Sequence, residues 1–310
     1  LSSTTPSVQI GRLQRDTGTA LAMVAPAVIG LLAFVAIPFL LAMFLSTQNL
    51  HLGSDVPPRW MGLEQYRRIL LDPDFRGDFY RALINNATFA VVVVPVQTGL
   101  ALGIALLLNR RLRGMPVFRT FFFMPVVFPM ALVSVIWKLI YARDDVGMLN
   151  SFLQVLTFGH WQAHDFLGDP HTAMIGIIVM SIWQGVGFQM VIILAGLQSI
   201  SSTLYEAAAI DRANKWQQFL NVTLPGLRNT LIFVVMVTTI FSLRLFDQIY
   251  IMTRGGPQNS TTTVMYQAVT TAFEKGNVGN AAAITVIFFI LVLAIALIQR
   301  QLVREEREIA

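Results

Sequence analysis

Six apolar runs, at roughly 19–46, 85–108, 120–140, 172–197, 227–252 and 280–299, alternate with polar segments along this 310-residue chain. A helix needs about 20 mostly apolar residues to cross about 30 Å of hydrocarbon, and each run reaches that length. The pattern predicts an all-α, polytopic membrane protein with six transmembrane helices. It divides the chain into a polar N-terminal segment at 1–18, one transmembrane domain at 19–299 and a short tail at 300–310. Arg12 and Arg15 precede the first run, which is too long for the core of a cleaved signal peptide and is expected to remain as the first span. Pro26, Pro38 and Pro95 fall inside runs and predict kinks, tolerated where neighbouring groups satisfy the freed carbonyls.

The segments between the runs differ in character. The connection 47–84 mixes five basic with five acidic residues and carries Trp60, Tyr66 and Tyr80, so short helices lying on the outer surface are expected there. The basic stretch at 109–116 reads as a cytoplasmic turn. Phe121, Phe122, Phe123 and Phe128 in the third run read as packing, and Trp137, Lys138 and Tyr141 as an anchor at the outer interface. No Gly/Ser-rich linker divides the chain, and no tandem soluble repeat is visible.

Composition agrees with the pattern, since 55% of residues are hydrophobic and only 13% charged. The net charge of +5 sets orientation and does not point to nucleic acid. With a cytoplasmic N-terminus, the inside segments 1–18, 109–119, 198–229 and 299–310 hold 12 Lys/Arg and 6 acids. The outside segments 47–84, 138–171 and 253–279 hold 9 and 10. Positive loops stay in the cytoplasm, which places both termini there. With no cysteine, disulfides, thiolate metal sites and a Cys nucleophile are all excluded.

One polar stretch, about 202–225, has a helical signature of its own. Thr203 and Glu206 have the spacing of a capping box, which starts a helix near Thr203. Ala207, Ala208 and Ala209 favour helix and allow another surface to approach closely. Leu224-Pro225 closes this helix, and the next span follows at once. A span joined to such a helix would move with it.

The stretch resembles the cytoplasmic Glu-Ala-Ala loop of the permease subunits of binding-protein-dependent ABC importers. Their pattern runs Glu-Ala-Ala, three residues, Gly, nine residues, Ile, one residue, Leu-Pro. Glu206-Ala207-Ala208 opens it here, and Val222-Thr223-Leu224-Pro225 ends it at the matching distance. Arg212 departs from it, standing where the family has the Gly that permits a sharp turn between two short helices. A second stretch, with Phe246, Asp247, Tyr250, Thr253, Gly255, Gly256 and Pro257, is similar to the end of the fifth helix in the carbohydrate branch, the maltose and glycerol-phosphate type. Trp183 to Gln198 is similar as well.

The resemblance implies the fold of a type I ABC importer permease in a bacterial or archaeal inner membrane. It implies as partners a second related permease, two ATP-binding subunits and an extracytoplasmic solute-binding protein. ATP and Mg would act on the partner ATPase, with no cofactor on this chain. Glu206, Ala207, Ala208, Asp211, Arg212, Leu224 and Pro225 would then couple the chain to the ATPase. No Gly-x-x-x-x-Gly-Lys-Ser/Thr run is present that would hold nucleotide here.

A solute path needs polar or small side chains on one helical face, with aromatics to cover sugar faces. Ser181, Gln184, Gly185 and Phe188 have i, i+3, i+4, i+7 spacing, and Thr238, Phe241, Ser242 and Leu245 repeat it. The resemblance to maltose-type permeases implies the same eight positions. Helix packing is the competing reading for each, because small and hydroxyl residues also bring membrane helices together. Gln184 is the strongest candidate, carrying both donors and acceptors.

Arg244 and Asp247 are i, i+3 near the outer end of the fifth run, where an ion pair fixing the helix end is expected. His160, His164 and Asp165 on an outer loop do not amount to a metal site. An ion-coupled carrier or channel is the alternative function, but it calls for a ladder of buried acids that the chain does not show. A membrane-embedded enzyme calls for clustered acid-base or nucleophilic groups, and none stands out.

Overall fold

The computed structural model describes residues 9–109, 114–143 and 147–308. The expected cytoplasmic segment 1–18 and tail 300–310 lie partly outside these residues, as does the basic turn at 110–113. The chain begins with α1 (Gln9–Leu31), which continues through a π-helical turn into α2 (Ile37–Leu45). A minimal antiparallel pair, β1 (Gln48–Asn49) and β2 (Arg59–Trp60), and α3 (Glu64–Leu71) lead into the long α4 (Pro73–Leu108). Then come α5 (Met115–Val127), α6 (Met130–Ile140), α7 (Met148–Leu156) and α8 (Ala173–Ser199). The polar loop holds α9 (Ser202–Ile210) and α10 (Lys215–Gln218), before α11 (Leu224–Leu243), α12 (Val264–Phe273) and α13 (Val278–Glu308).

Among the described residues five helices are long and apolar enough to cross a membrane: Thr19–Leu45, Phe75–Leu108, Ala173–Ser199, Lys215–Leu243 and Val278–Gln301. The bent pair α5 and α6, counted as one span, makes six. Helix α8 is the hub, buried along most of its length against α4, α5 and α11. The first span touches the rest mainly through α2 on α13, where the rings of Phe39 and Phe289 meet at a 49° tilt with centroids 4.3 Å apart.

Three spans depart from the expected pattern, each for a local reason. The second begins at Phe75 and not near 85. Phe79 and Ala82, one turn apart, are buried against α3, α12 and α13, so the helix continues outward past its charged residues. The third is broken, bending by 97° between α5 and α6. Phe128 is extended and Pro129 is the N-cap of α6, as expected where proline disfavours helix in the preceding residue. The fifth ends at Leu243, nine residues short of 252, and the chain re-forms only a π-helical turn at Ile249–Thr253.

Two prolines are accommodated by one device. A π-helical turn at Leu32–Ala36 precedes Pro38, and another at Phe219–Thr223 precedes Pro225. A proline ring clashes with the carbonyl four residues before it, here that of Phe34 or Asn221, at the middle of each turn. Widening the helix there relieves the clash and leaves the rod unbroken. Pro225 therefore does not close a helix: Lys215–Leu243 is one continuous run.

The hub depends on close backbone approach at Gly187, where an added Cβ would collide with the carbonyl oxygen of Phe122 on α5. Replacement Gly187→Ala is expected to lower stability by about 1–3 kcal/mol, the usual cost of overpacking, seen as a reduced Tm in detergent. Gly99→Ala, with open space around it, should leave the Tm unchanged or slightly higher.

Candidate functional site

Helices α4, α8 and α11, with Val126 and Met130 at the α5–α6 break, line a partly open cavity of about 390 Å³. Seven of the eight expected positions line it: Ser181, Gln184, Gly185, Phe188, Thr238, Phe241 and Ser242. Leu245 does not. Because α11 stops at Leu243, the helical register no longer applies two residues later, and Leu245 turns into the core beside Phe89, Ile249 and Met252, 2% exposed. Gln248, from the turn that follows the break, lines the cavity instead.

The sequence reading missed Gln97 and Phe89 on α4, Gln189 on α8, and Gln248. Extending the α8 stripe from Ser181 by two full turns to i+8 would have found Gln189. An amide within the apolar run Val91–Gly99 was the signal for Gln97. Gln248 had no such signal, because its placement follows from the break.

Hydrogen bonding defines what this lining can do. Ser181 Oγ donates to the Ile177 carbonyl (2.8 Å) and Thr238 Oγ1 to that of Val234 (2.7 Å), so both hydroxyl protons are spent within their own helices. Gln189 Nε2 donates to Thr238 Oγ1, tying α8 to α11, while Gln189 Oε1 is buried without a partner. The side-chain amides of Gln97, Gln184 and Gln248 have no hydrogen-bond partner among the described residues. Among the described residues the lining holds no Asp, Glu, Lys, Arg or His. Phe89, Phe188 and Phe241 add apolar faces, so the cavity offers amide donors and acceptors between aromatic rings.

The polar loop is built from two capping devices. Ser201 is the N-cap of α9, its Oγ accepting from the Thr203 amide at 3.3 Å, so the cap lies two residues before the expected Thr203. At the other end Ala213 N donates to Ala208 O (2.9 Å) and Arg212 N to Ala209 O (3.1 Å), the Schellman pattern of helix termination. That pattern needs a left-handed residue, and Arg212 supplies it with φ +56°. The bend usually assigned to Gly is therefore present. Asn214 and Gln217 then form a complete capping box that starts α10, one the sequence reading did not identify.

Glu206, Ala207, Asp211 and Arg212 are exposed on this loop, Ala208 is half-buried, and Leu224 and Pro225 are exposed where the loop joins its span. Leu204 and Trp216 are exposed too, and Ile210 is 82% exposed. Tyr205 Oη lies 3.0 Å from Thr223 Oγ1, clamping α9 to the base of the span.

The expected Arg244–Asp247 ion pair does not form; both side chains are exposed. Among the described residues, the ion pairs join Glu64 to Arg67 and Arg68, and His164 to Asp169. Helix α11 ends before Arg244, which removes the i, i+3 geometry. Nor does His164 pair with His160: it meets Asp169 and Thr172, while Asp165 caps the Gly168 amide. Among the described residues no group of three His, Cys, Asp or Glu could hold a metal.

A bent membrane bundle around an uncharged cavity, with a capped polar loop fused to one span, defines a transport subunit. Residues 97–308 match the family described as binding-protein-dependent transport system inner membrane component, and the chain belongs to that family. It is 34% identical over 287 residues to the probable ABC transporter permease protein YurN of Bacillus subtilis, covering 91% of this chain and 95% of that protein. It is 32% identical over 288 residues to the trehalose/maltose transport system permease protein MalF of Thermococcus litoralis, covering 92% and 94%. Among solved structures it is similar to a chain of the bacterial alginate ABC transporter in complex with an alginate pentasaccharide-bound periplasmic protein. That similarity has a TM-score of 0.81 at 20% identity, covering 96% of this chain and 97% of that one. The fold expectation of an all-α importer permease with up to six spans holds.

The Arg212 conformation is testable. A β-branched residue in a left-handed position costs roughly 1–2 kcal/mol, so Arg212→Val is expected to loosen the end of α9, and Arg212→Gly to preserve it. Amide hydrogen exchange over residues 207–217 should rise in the Val variant alone.

Proposed function

We propose that this chain is the permease subunit of an ATP-driven importer that moves a carbohydrate or related polyol from an extracytoplasmic binding protein into the cytoplasm. The single observation that carries the reading is one continuous helical run from Lys215 to Leu243. Its lower end leaves the exposed alanine-rich loop, and its upper end carries Thr238, Phe241 and Ser242 into the amide-lined cavity. The trehalose/maltose permease, about one third identical over nearly the whole chain, supports the choice of solute.

In this reading the partners are a second related permease and two ATP-binding subunits that hold ATP and Mg, and both termini face the cytoplasm. Glu206 meets basic or backbone donors on the ATPase, Ala207 and Ala208 leave room for the contact, and Ile210 offers exposed apolar surface beside it. Closure of the ATPase on ATP pulls the loop, and the run above it rocks the bundle from inward to outward access around the cavity. Ser181, Gln184, Gly185, Phe188, Thr238, Phe241 and Ser242 hold the solute.

Replacing Glu206 by Lys removes a charge-assisted contact, which is worth about 1.5–3 kcal/mol. ATPase stimulation by the solute-loaded binding protein is expected to fall tenfold or more, on the order given by about 1.4 kcal/mol per decade, with the folded yield unchanged. A stimulated rate equal to that of the parent complex would overturn the docking role.

A further inference from the structure

The lining holds four glutamines from three places in the chain: Gln97 on α4, Gln184 and Gln189 on α8, and Gln248 after the α11 break. Three of them are more than nine-tenths buried, with Gln97 6%, Gln189 3% and Gln248 7% exposed. The unpartnered amide atoms of Gln97 and Gln248 keep access to the cavity while the rest of each side chain is covered, and among the lining glutamines only Gln189 Oε1 is sealed without a partner among the described residues, an arrangement normally avoided. Here Gln97 and Gln248 have no partner among the described residues, and Gln189 has one only through its Nε2. Three independent segments of the chain thus carry unspent amides into one space. Gly185 belongs to the same arrangement: any larger residue there would place its Cβ 2.6 Å from Gln97 Nε2 and push the amide aside.

We infer that this glutamine set, with Gln97 as its selecting member, makes the cavity specific for a short, uncharged saccharide or polyol and rejects anionic sugars and sugar phosphates. The inference rests on the importer reading above and narrows it. An amide both donates and accepts, as a hydroxyl does, so each glutamine can exchange paired hydrogen bonds with neighbouring hydroxyls of a sugar. A carboxylate or phosphate would meet no cationic side chain among the described lining residues of this chain, and burying an unpaired charge is far costlier than burying a bonded hydroxyl. The charged residues nearest in sequence, Arg244 and Asp247, are exposed and outside the lining. A volume of about 390 Å³ lies near the lower end of small-molecule sites and fits a short sugar rather than a long chain.

The test measures probe binding to the whole importer complex in nanodiscs. Maltose, trehalose and sorbitol serve as neutral probes, with methyl glucuronide and glycerol 3-phosphate as anionic ones. At least one neutral probe is expected to bind and neither anionic probe to do so. Gln97→Ala is expected to weaken the neutral probe about tenfold, the loss of one net hydrogen bond, and Gln97→Asn to recover part of that loss. Gln248→Ala, on a different segment, provides an independent variant should Gln97→Ala fail to fold, with the same weakening expected. Binding of an anionic probe as tightly as a neutral one, or neutral binding insensitive to both glutamines, would overturn the inference and leave the carbohydrate importer reading standing. Failure of every saccharide and polyol to bind a complex that still hydrolyses ATP would overturn both.

Discussion

Main-chain N–H and C=O groups have no water to turn to in hydrocarbon, so an interruption of helix is tolerated only where the protein itself supplies partners. That constraint is met most visibly after Leu243. Asn86 on α4 is fully buried and bridges the gap: its Nδ2 donates to the Leu243 carbonyl (3.1 Å) and its Oδ1 accepts from the Val264 amide (2.9 Å). One side chain thus satisfies the last turn of α11 and the first turn of α12. Thr263 Oγ1 donates to the Leu245 carbonyl (2.8 Å), Asn85 to the carbonyls of Asn259 and Thr262, and Arg81 to that of Gln258. Of these partners only Arg81 lies on the outward extension of α4, which Phe79 and Ala82 anchor by burial.

The cavity follows from the same break. A regular helix through residue 252 would have kept Leu245 on the lining face and would have filled the space at that level with an aliphatic side chain. Interrupting the helix sends Leu245 into the core with Phe89 and Ile249, and delivers an amide, Gln248, in its place. The bend at Phe128 and Pro129 acts in parallel, with Val126 and Met130 on either side of it in the lining. Two broken spans therefore border the space, while the unbroken α8 supplies its regular stripe of Ser181, Gln184, Gly185 and Phe188. Breaks are placed where irregular backbone borders a cavity, and continuous helix where the bundle needs a hub.

How much of this was legible in the sequence depended on whether a residue's position follows from local spacing. The α8 stripe was legible because 27 residues of uninterrupted helix preserve the i, i+3, i+4, i+7 relation, and the same held for Thr238, Phe241 and Ser242. Leu245 was not, because the partner that stabilises the break, Asn86, lies 157 residues from Leu243. The ion pair of Arg244 and Asp247 failed for the same reason. The start of the second span was hidden by Arg76, Asp78 and Arg81, charges that mark an exposed face while Phe79 and Ala82 are buried on the other. At the polar loop the spacing did reveal a short helix, yet Thr203 competed with Ser201 for the cap, and the hydrogen bond that decides between them is a matter of one turn's geometry. Arg212 shows a different limit: a residue disfavoured in left-handed backbone adopts it when two main-chain hydrogen bonds and a following capping box all depend on that turn.

Under the proposed function, force entering at the loop has one continuous helix along which to reach the cavity. From Lys215 to Thr238 is 23 residues of helix, about 35 Å at 1.5 Å per residue, and the one proline within it is absorbed by the π-helical turn at Phe219–Thr223 without a break. A kink at that point would have dissipated motion as bending. The Tyr205–Thr223 contact fixes α9 to the same turn, so α9 and the span share one base. At the far end the rod meets the hub through the Gln189–Thr238 hydrogen bond, and both residues line the cavity. Under the proposed function, tilting α11 must either carry α8 with it or break that bond, and breaking it frees the Gln189 amide and the Thr238 hydroxyl oxygen within the solute space. In that reading the joint between lever and hub is also a binding element, and a solute hydroxyl able to replace Thr238 as the partner of Gln189 Nε2 would bias the bundle toward the arrangement in which α8 and α11 have separated.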